Sequence, residues 1–371
     1  MATTFAPSLG QPGCIVNYTP SPLTRGPSTS SDEGSNSAHL EPFTVAVPPA
    51  SVPHIFAHRQ WRAGMVLADL IAAHYLDDAL LHRTVLELGC GTALPALLAA
   101  HSDGGGASFA LATDYDEPEL IRVLKVNVAR CTEEHQQLQG RIRAAGYIWG
   151  TSPDDVFDLL PAQLVAERRA SISPPSEAAK FDTILLADTL WDSLSHADLA
   201  KSIAQTLAKT AEARVLVVAG LHTGRDRIAE FVKRAARIGL TLSSPLAADG
   251  ASESHALWKQ LQLIPEPDLV ATLSRRSADD AVADAWADSV LEFELALEPG
   301  EEEEAPSDKG APLNVDGITI HSRGPRLTGR RRLFVANETL RPEEAKERGG
   351  VKLRNRWMTF WTLEWAKHAL P

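Results

Sequence analysis

Thr84-Val85-Leu86-Glu87-Leu88-Gly89-Cys90-Gly91-Thr92-Ala93-Leu94-Pro95 is the stretch whose reading decides the fold. A β-branched and aliphatic run meets two glycines and then an apolar, helix-like stretch, Leu94–Ala100. That order predicts a strand turning sharply into a helix. Glycine suits such a turn because a side chain there would keep the backbone away from a ligand. The helix start beside it leaves backbone N–H groups without intrahelical partners. A second strand-like run, Phe109–Thr113, is followed by Asp114 and Asp116. A glycine turn, a helix start and a carboxylate about 20 residues on together sketch a nucleotide-type crevice with Asp114 placed for a ribose.

The dinucleotide fingerprint requires a third small residue, and here Leu94 fills that slot. A diphosphate also favours an electropositive turn, whereas Glu87 stands two residues before Gly89. A carboxylate in that place suits a ligand with a cationic ammonium or sulfonium group. S-adenosylmethionine fits this description, having an adenosine, a ribose diol and a charged amino-acid tail but no phosphate. A tight strand–helix turn without any ligand is the competing reading, and Glu87 with Asp114 weighs against it.

Composition narrows the classes. At 371 residues, 44% of them apolar, the chain has ample material for a core. A net charge of −12 argues against a nucleic-acid binder that works by neutralising phosphates. Cys14, Cys90 and Cys131 are widely spaced and odd in number, giving neither a disulfide framework nor metal-ligand spacing, so a reducing, cytoplasmic setting is expected. Cys90, between the glycines, reads as a small turn residue and not as a nucleophile. No apolar run reaches membrane-spanning length, and no secretory signal pattern opens the chain.

Outward from the glycine turn the pattern is regular. Residues 1–45, rich in Pro, Ser, Thr and Gly, are expected to form a disordered arm ahead of one domain over 46–371. Gln60–Leu81 reads as an amphipathic helix; its Trp61 suits the core or a place against the cofactor. Thr84–Leu88, Ser108–Thr113, Arg141–Trp149, Phe181–Ala187 and Ala213–Ala219 are expected strands. Helices alternate with them at Ala93–His101, Asp116–Cys131, Asp155–Arg169, Leu199–Lys209 and Asp226–Ile238. Asp116 and Glu119 form a D-x-x-E capping signature for the second of these. Such alternation predicts a mostly parallel sheet with helices on both faces. Right-handed crossovers then bring Gly89, Asp114, Trp149 and Asp188 to one carboxyl edge, where ligands bind in such sheets. Asp188 suits either a helix N-cap or a polar group at that edge. Residues 248–312, acidic and low in aromatics, are expected to be a flexible insertion, with a helix at Ala281–Leu297. Arg323–Arg332 is basic, and Arg356–Trp365 is expected to be the last strand.

In combination these pieces resemble the seven-strand S-adenosylmethionine-dependent methyltransferases, and more narrowly the lysine-methyltransferase group called methyltransferase family sixteen. The residues carrying the resemblance are Gln60–Gly64, Leu86–Pro95, Thr113–Asp116, Gly146–Gly150 and Asp188–Trp191. The fungal subgroup labelled nicotinamide N-methyltransferase-like or elongation-factor N-terminal and lysine methyltransferase looks most similar. The resemblance implies a Rossmann-like α/β fold and S-adenosylmethionine as cofactor. It implies that Glu87, Gly89 and Gly91 hold the methionine part, Asp114 the ribose, and Trp149 the adenine, with Trp61 closing over the cofactor. Asp188 with Trp191 matches the family's D-x-x-aromatic motif beside the substrate channel, although Tyr or Phe is commoner at the last position. The implied activity is N-methylation of a lysine or N-terminal amine of a protein such as a translation elongation factor, with no metal. The competing readings are a small-molecule N-methyltransferase, acting for example on nicotinamide, and a non-catalytic partner-binding member.

Overall fold

A computed structural model describes residues 6–20, 40–50, 55–243, 264–265, 289–296, 318–336 and 354–371. The chain begins with β1 (Ser8–Leu9), β2 (Ile15–Thr19), β3 (Phe43–Ala46) and β4 (Gln60–Trp61), then α1 (Arg62–Ala72) and α2 (Asp77–Leu80). The alternating series follows as β5 (Thr84–Leu88), α3 (Leu94–Ala100), β6 (Phe109–Asp114), α4 (Pro118–Glu134) and β7 (Ile142–Gly146). It continues as α5 (Asp154–Phe157), α6 (Ala162–Arg169), β8 (Thr183–Ala187), α7 (His196–Thr206), β9 (Arg214–Gly220), α8 (Arg225–Arg237) and β10 (Leu240–Ser243). The last strands are β11 (Ile264–Pro265), β12 (Ser289–Leu295), β13 (Thr319–Arg323), β14 (Leu327–Val335) and β15 (Trp357–Trp365).

The central sheet has the order β11-β14-β12-β15-β9-β8-β5-β6-β7, with β10 also paired to β15. From β7 to β9 every pairing is parallel. β15 is antiparallel to β9 and β10, so the six expected strands, β5 to β9 and β15, all run one way except β15, and β10, a strand not expected from the sequence, runs with the majority. β15 is long enough to hold two partners on its outer side. Its second half pairs with β10 and its first half with β12.

Strand alternation sends neighbouring side chains to opposite faces. Val85, Ala110, Ala112, Leu185 and Val218 join α1, α3 and α4 in one buried cluster. Leu86, Leu88, Leu111, Leu186 and Val217 join α7 and α8 in the other. Helices therefore cover both faces, as the alternation predicts. The base of the sheet is pinned by a buried ion pair, in which Arg168 Nη2 on α6 donates to Asp182 Oδ1 at 2.8 Å. The other Asp182 oxygen accepts from the Thr84 backbone N–H at 2.9 Å.

Four expectations are corrected. The arm expected to be disordered over 1–45 carries strands within its described residues, 6–20 and 40–45. β2 lies between β13, parallel, and β3, antiparallel, and β1 pairs with β4. Val16 and Tyr18 alternate inward and are fully buried, a period that an averaged polar composition conceals. Second, the helix expected over Ala281–Leu297 is replaced, in its described part, by β12, a buried strand of the central sheet. Its β-branched, aromatic and leucine residues alternate with Glu292 and Glu294, each of which faces an arginine, Arg225 and Arg330 respectively. The flexible insertion therefore does not extend across 289–296; apart from Ile264–Pro265, the rest of 248–312 lies outside the described residues. Third, α4 is capped by Glu117, whose side chain accepts from Leu120 N at 2.7 Å, and not by Asp116. Pro118 explains this, because proline fits the first helical position and holds the residue before it extended. Fourth, the single helix expected over Asp155–Arg169 is two, α5 and α6, separated at Pro161.

Candidate functional site

The strand ends of β5, β6, β7 and β8 meet at one edge, and a cavity of about 270 Å³ opens there. Its wall includes Trp61, Gly89, Gly91, Asp114, Trp149, Asp188 and Trp191. Seven of the eight residues singled out from the sequence thus converge on one space.

The turn after β5 is built from three left-handed residues, Gly89 (φ 72°), Gly91 (φ 55°) and Ala93 (φ 70°). A Cβ at Gly89 would lie 3.0 Å from the Trp149 ring and 3.1 Å from the Thr189 methyl group, so the tryptophan comes this close only because residue 89 is glycine. The Gly89 and Cys90 N–H groups both donate to the Thr113 carbonyl, at 2.9 and 3.0 Å, which fastens the turn to β6. Burial and the neighbouring Asp114 and Glu87 carboxylates push the Cys90 thiol well up, consistent with a small turn residue and not a nucleophile.

Asp114 ends β6 and is almost fully buried. Its Oδ2 accepts the Gly91 N–H and its Oδ1 the Tyr115 N–H, each at 2.7 Å. Burial raises its carboxyl above the ordinary aspartate value, and these two N–H groups oppose the rise. A carboxylate oxygen has a second lone pair, so both oxygens can still accept from a ligand.

Glu87 is the exception. On β5 it shares the face of Val85, toward α3, and it is not on the cavity wall. Its Oε2 accepts the Ala96 N–H at 2.9 Å, and its buried Oε1 has no hydrogen-bond partner. The carboxylate therefore secures the first turn of α3, a helix whose N-cap residue, Ala93, makes no side-chain capping hydrogen bond.

The opposite wall is aromatic. Trp61 Nε1 donates to the Phe56 carbonyl at 3.0 Å, and the Phe56 ring meets Trp191 edge-on with centroids 5.0 Å apart. Trp149 belongs to a loop tied to α7, where Ser202 Oγ accepts the Gly150 N–H at 2.8 Å. Asp188 has a left-handed backbone, φ 59°, an uncommon state for a residue with a side chain that is held where the surroundings over-determine it. Its Oδ1 accepts the Gly220 N–H at 3.0 Å, while its buried Oδ2 has no hydrogen-bond partner.

Four aspartates line the cavity, Asp114, Asp188, Asp192 and Asp198, and among the described lining residues there is no lysine or arginine. Such a wall favours a cationic ligand and disfavours a phosphate. His222 and Phe56 were not legible as site residues. His222 has no motif around it; its one signal is that it follows β9, a strand that ends at the same edge.

The fold and the cavity define a Rossmann-like α/β protein with an acidic, aromatic-walled ligand site at the carboxyl edge of its sheet. Residues 53–167 match the model of the family described as lysine methyltransferase, and this segment carries the glycine turn, Asp114 and Trp149. The chain is 30% identical over 163 residues to the protein N-terminal and lysine N-methyltransferase efm7 of Schizosaccharomyces pombe, covering 44% of this chain and 55% of that protein. It is 34% identical over 155 residues to the protein of the same name in Gibberella zeae, covering 41% and 52%. The chain thus spans about half the length of the curated relatives it matches. Among solved structures, an O-methyltransferase of a Brevibacillus brevis multienzyme, in complex with S-adenosyl-L-homocysteine, aligns at 10% identity with a TM-score of 0.35, over 83% of this chain and 76% of that one.

Among the described residues no helix is long and apolar enough to cross a membrane, and no group of three or more His, Cys, Asp or Glu is arranged to hold a metal.

Proposed function

We propose that the chain is an S-adenosylmethionine-dependent N-methyltransferase acting on a lysine or N-terminal amine of a protein, with a translation elongation factor as the first candidate. The observation carrying this reading is the cavity wall, which combines aspartates with Trp61, Trp149 and Trp191 and has no described basic residue. The fungal relatives, known as protein N-terminal and lysine N-methyltransferases, support the acceptor class.

The residues present fit the cofactor. Asp114 would hold the ribose hydroxyls with the lone pairs its backbone partners leave free. Gly89 and Gly91 would let the methionine part approach the turn, and Trp149 would lie along the adenine. Glu87 would act from behind the turn, by holding α3, and not by touching the ligand. When bound, S-adenosylmethionine supplies a methyl group already activated by a sulfonium.

The chain's own task is then to align an uncharged amine and exclude water. Trp61, Phe56 and Trp191 close the acceptor side against solvent. The unpartnered Asp188 oxygen accepts an N–H of the incoming amine and favours its approach as a cation; the aromatic walls then disfavour the ammonium form by desolvation. The acidic balance of the chain suits a protein acceptor with basic character, and neither nucleic acid nor a membrane is the partner in this reading. The setting is cytoplasmic.

The test is methyl transfer from tritiated S-adenosylmethionine to elongation factors made in bacteria, which arrive unmethylated, beside nicotinamide as a small acceptor. Label in the protein band is the expected result. Label confined to the small molecule would replace the protein reading with the small-molecule one.

A further inference from the structure

His222 belongs to no motif and is outside the cofactor wall, yet it sits where the two halves of the acceptor side meet. It occupies the short helical turn Leu221–Thr223 that follows β9. Its ring stacks on Trp61, with centroids 5.5 Å apart and planes 17° from parallel. Its Nδ1 is buried without a hydrogen-bond partner and faces Asp188 Oδ1 at 4.0 Å. Asp188 Oδ2 is likewise buried and without a partner. Gly220 makes the approach possible, since a Cβ there would lie 2.6 Å from His222 Nδ1 and 3.5 Å from Asp188 Oδ1. Two unsatisfied polar atoms, a left-handed carboxylate residue and a glycine that leaves the gap open are a costly arrangement for packing alone.

We propose that His222 is a positioning residue for the acceptor amine: stacked on Trp61 and facing Asp188, it holds the aromatic wall and orients the Asp188 carboxylate so that its free oxygen receives the amine N–H. This inference rests on the proposed function. His222 does not touch the methyl group; it acts through Asp188 and Trp61. Among the described residues Asp188, at the end of β8, is the titratable group within ion-pair reach of it, while Trp61, at the start of α1, contributes an uncharged ring.

The test uses the full chain and three variants. His222→Phe keeps a ring for Trp61 but removes the nitrogen facing Asp188; His222→Asn keeps a nitrogen donor but loses the stack; Gly220→Ala separates the pair without removing either member. Binding of S-adenosylhomocysteine is read by calorimetry, and kcat and KM by tritium transfer to the bacterially made elongation factor. For His222→Phe the cofactor Kd is expected to stay unchanged and kcat/KM to drop at least about tenfold. Partial recovery in His222→Asn, and a loss in Gly220→Ala, support the same role. If His222→Phe does not fold by circular dichroism, Gly220→Ala carries the test. Wild-type rates in the folded variants would overturn the inference while leaving the function standing. A wild-type chain that binds no S-adenosylhomocysteine, or transfers no label, overturns the proposed function and the inference together.

Discussion

The Glu87 carboxylate accepts the Ala96 backbone N–H at 2.9 Å, beneath the first turn of α3. Burial pushes this carboxyl well above the usual glutamate range; the Ala96 N–H pulls it down, and Asp114 nearby pushes it further up. A carboxyl raised in the folded state contributes stability that is fully present below its unfolded value and is lost as pH rises toward the raised one. Glu87→Gln keeps an oxygen for Ala96 and has no proton to release. Its melting temperature should therefore fall less than that of the parent as pH climbs from about 4.3, the ordinary glutamate value, toward neutrality. Melting curves that move in parallel across this window would remove the assignment.

Asp114→Asn tests the ribose assignment. The substitution preserves shape and one acceptor oxygen but removes the charge and places an amide donor where the Gly91 or Tyr115 N–H points. Cofactor affinity measured by calorimetry should weaken about 10- to 100-fold, the worth of hydrogen bonds to a charged group. An unchanged Kd would refute the role.

Gly89→Ala combines two penalties. A left-handed backbone costs an L-residue about 1–2 kcal/mol. The added Cβ also meets the Trp149 ring at 3.0 Å, so the ring must shift. Urea unfolding should register the first penalty and a loss of S-adenosylhomocysteine binding the second. A variant with parental stability would show that the turn is not held at this φ.

Arg168→Met removes the partner of Asp182 at the base of the sheet, away from the cavity. Burial lowers the Arg168 pKa, and the Asp182 carboxylate opposes that shift, as expected for a pair nearly excluded from water. Losing one partner of a buried pair costs about 3–5 kcal/mol, because the other charge is left uncompensated. Denaturant titration measures this loss. Cofactor affinity of the folded fraction should remain parental.

Tyr18→Phe tests whether the N-terminal strands belong to the domain. The Tyr18 hydroxyl donates to the Met65 carbonyl at 3.1 Å and to the Asp69 carboxylate, and Tyr18 is fully buried. Removing a buried hydroxyl from such partners costs about 1–3 kcal/mol. An unchanged unfolding midpoint would mean that this strand does not contribute to stability.

The alternating segments were legible because local pattern and tertiary role agree there. Thr84–Leu88 is buried along its whole length and apolar apart from Thr84 and Glu87, as suits a strand covered on both faces, and its observed limits match the expected ones. Trp357–Trp365 was legible for the same reason. β2 was not, since five residues between prolines and glycines gain stability only by pairing with β13, some 300 residues later, and with β3. β12 was not, because Glu292 and Glu294 read as polar breaks until Arg225 and Arg330 are brought to them.

The sequence by itself determined the doubly covered sheet, the glycine turn and the edge at which ligand-facing residues gather, because strand and helix periods are local properties of the chain. It even contained the direction of Glu87, two residues from Val85 and therefore on the face of α3, although chemistry alone suggested the ligand. Only the tertiary structure decided which carboxylates line the cavity and which serve a helix start. Only it brought His222 from the end of β9 against Trp61 and Asp188. Those relationships join residues from about 30 to 160 positions apart; loop closure and packing, not local pattern, select them.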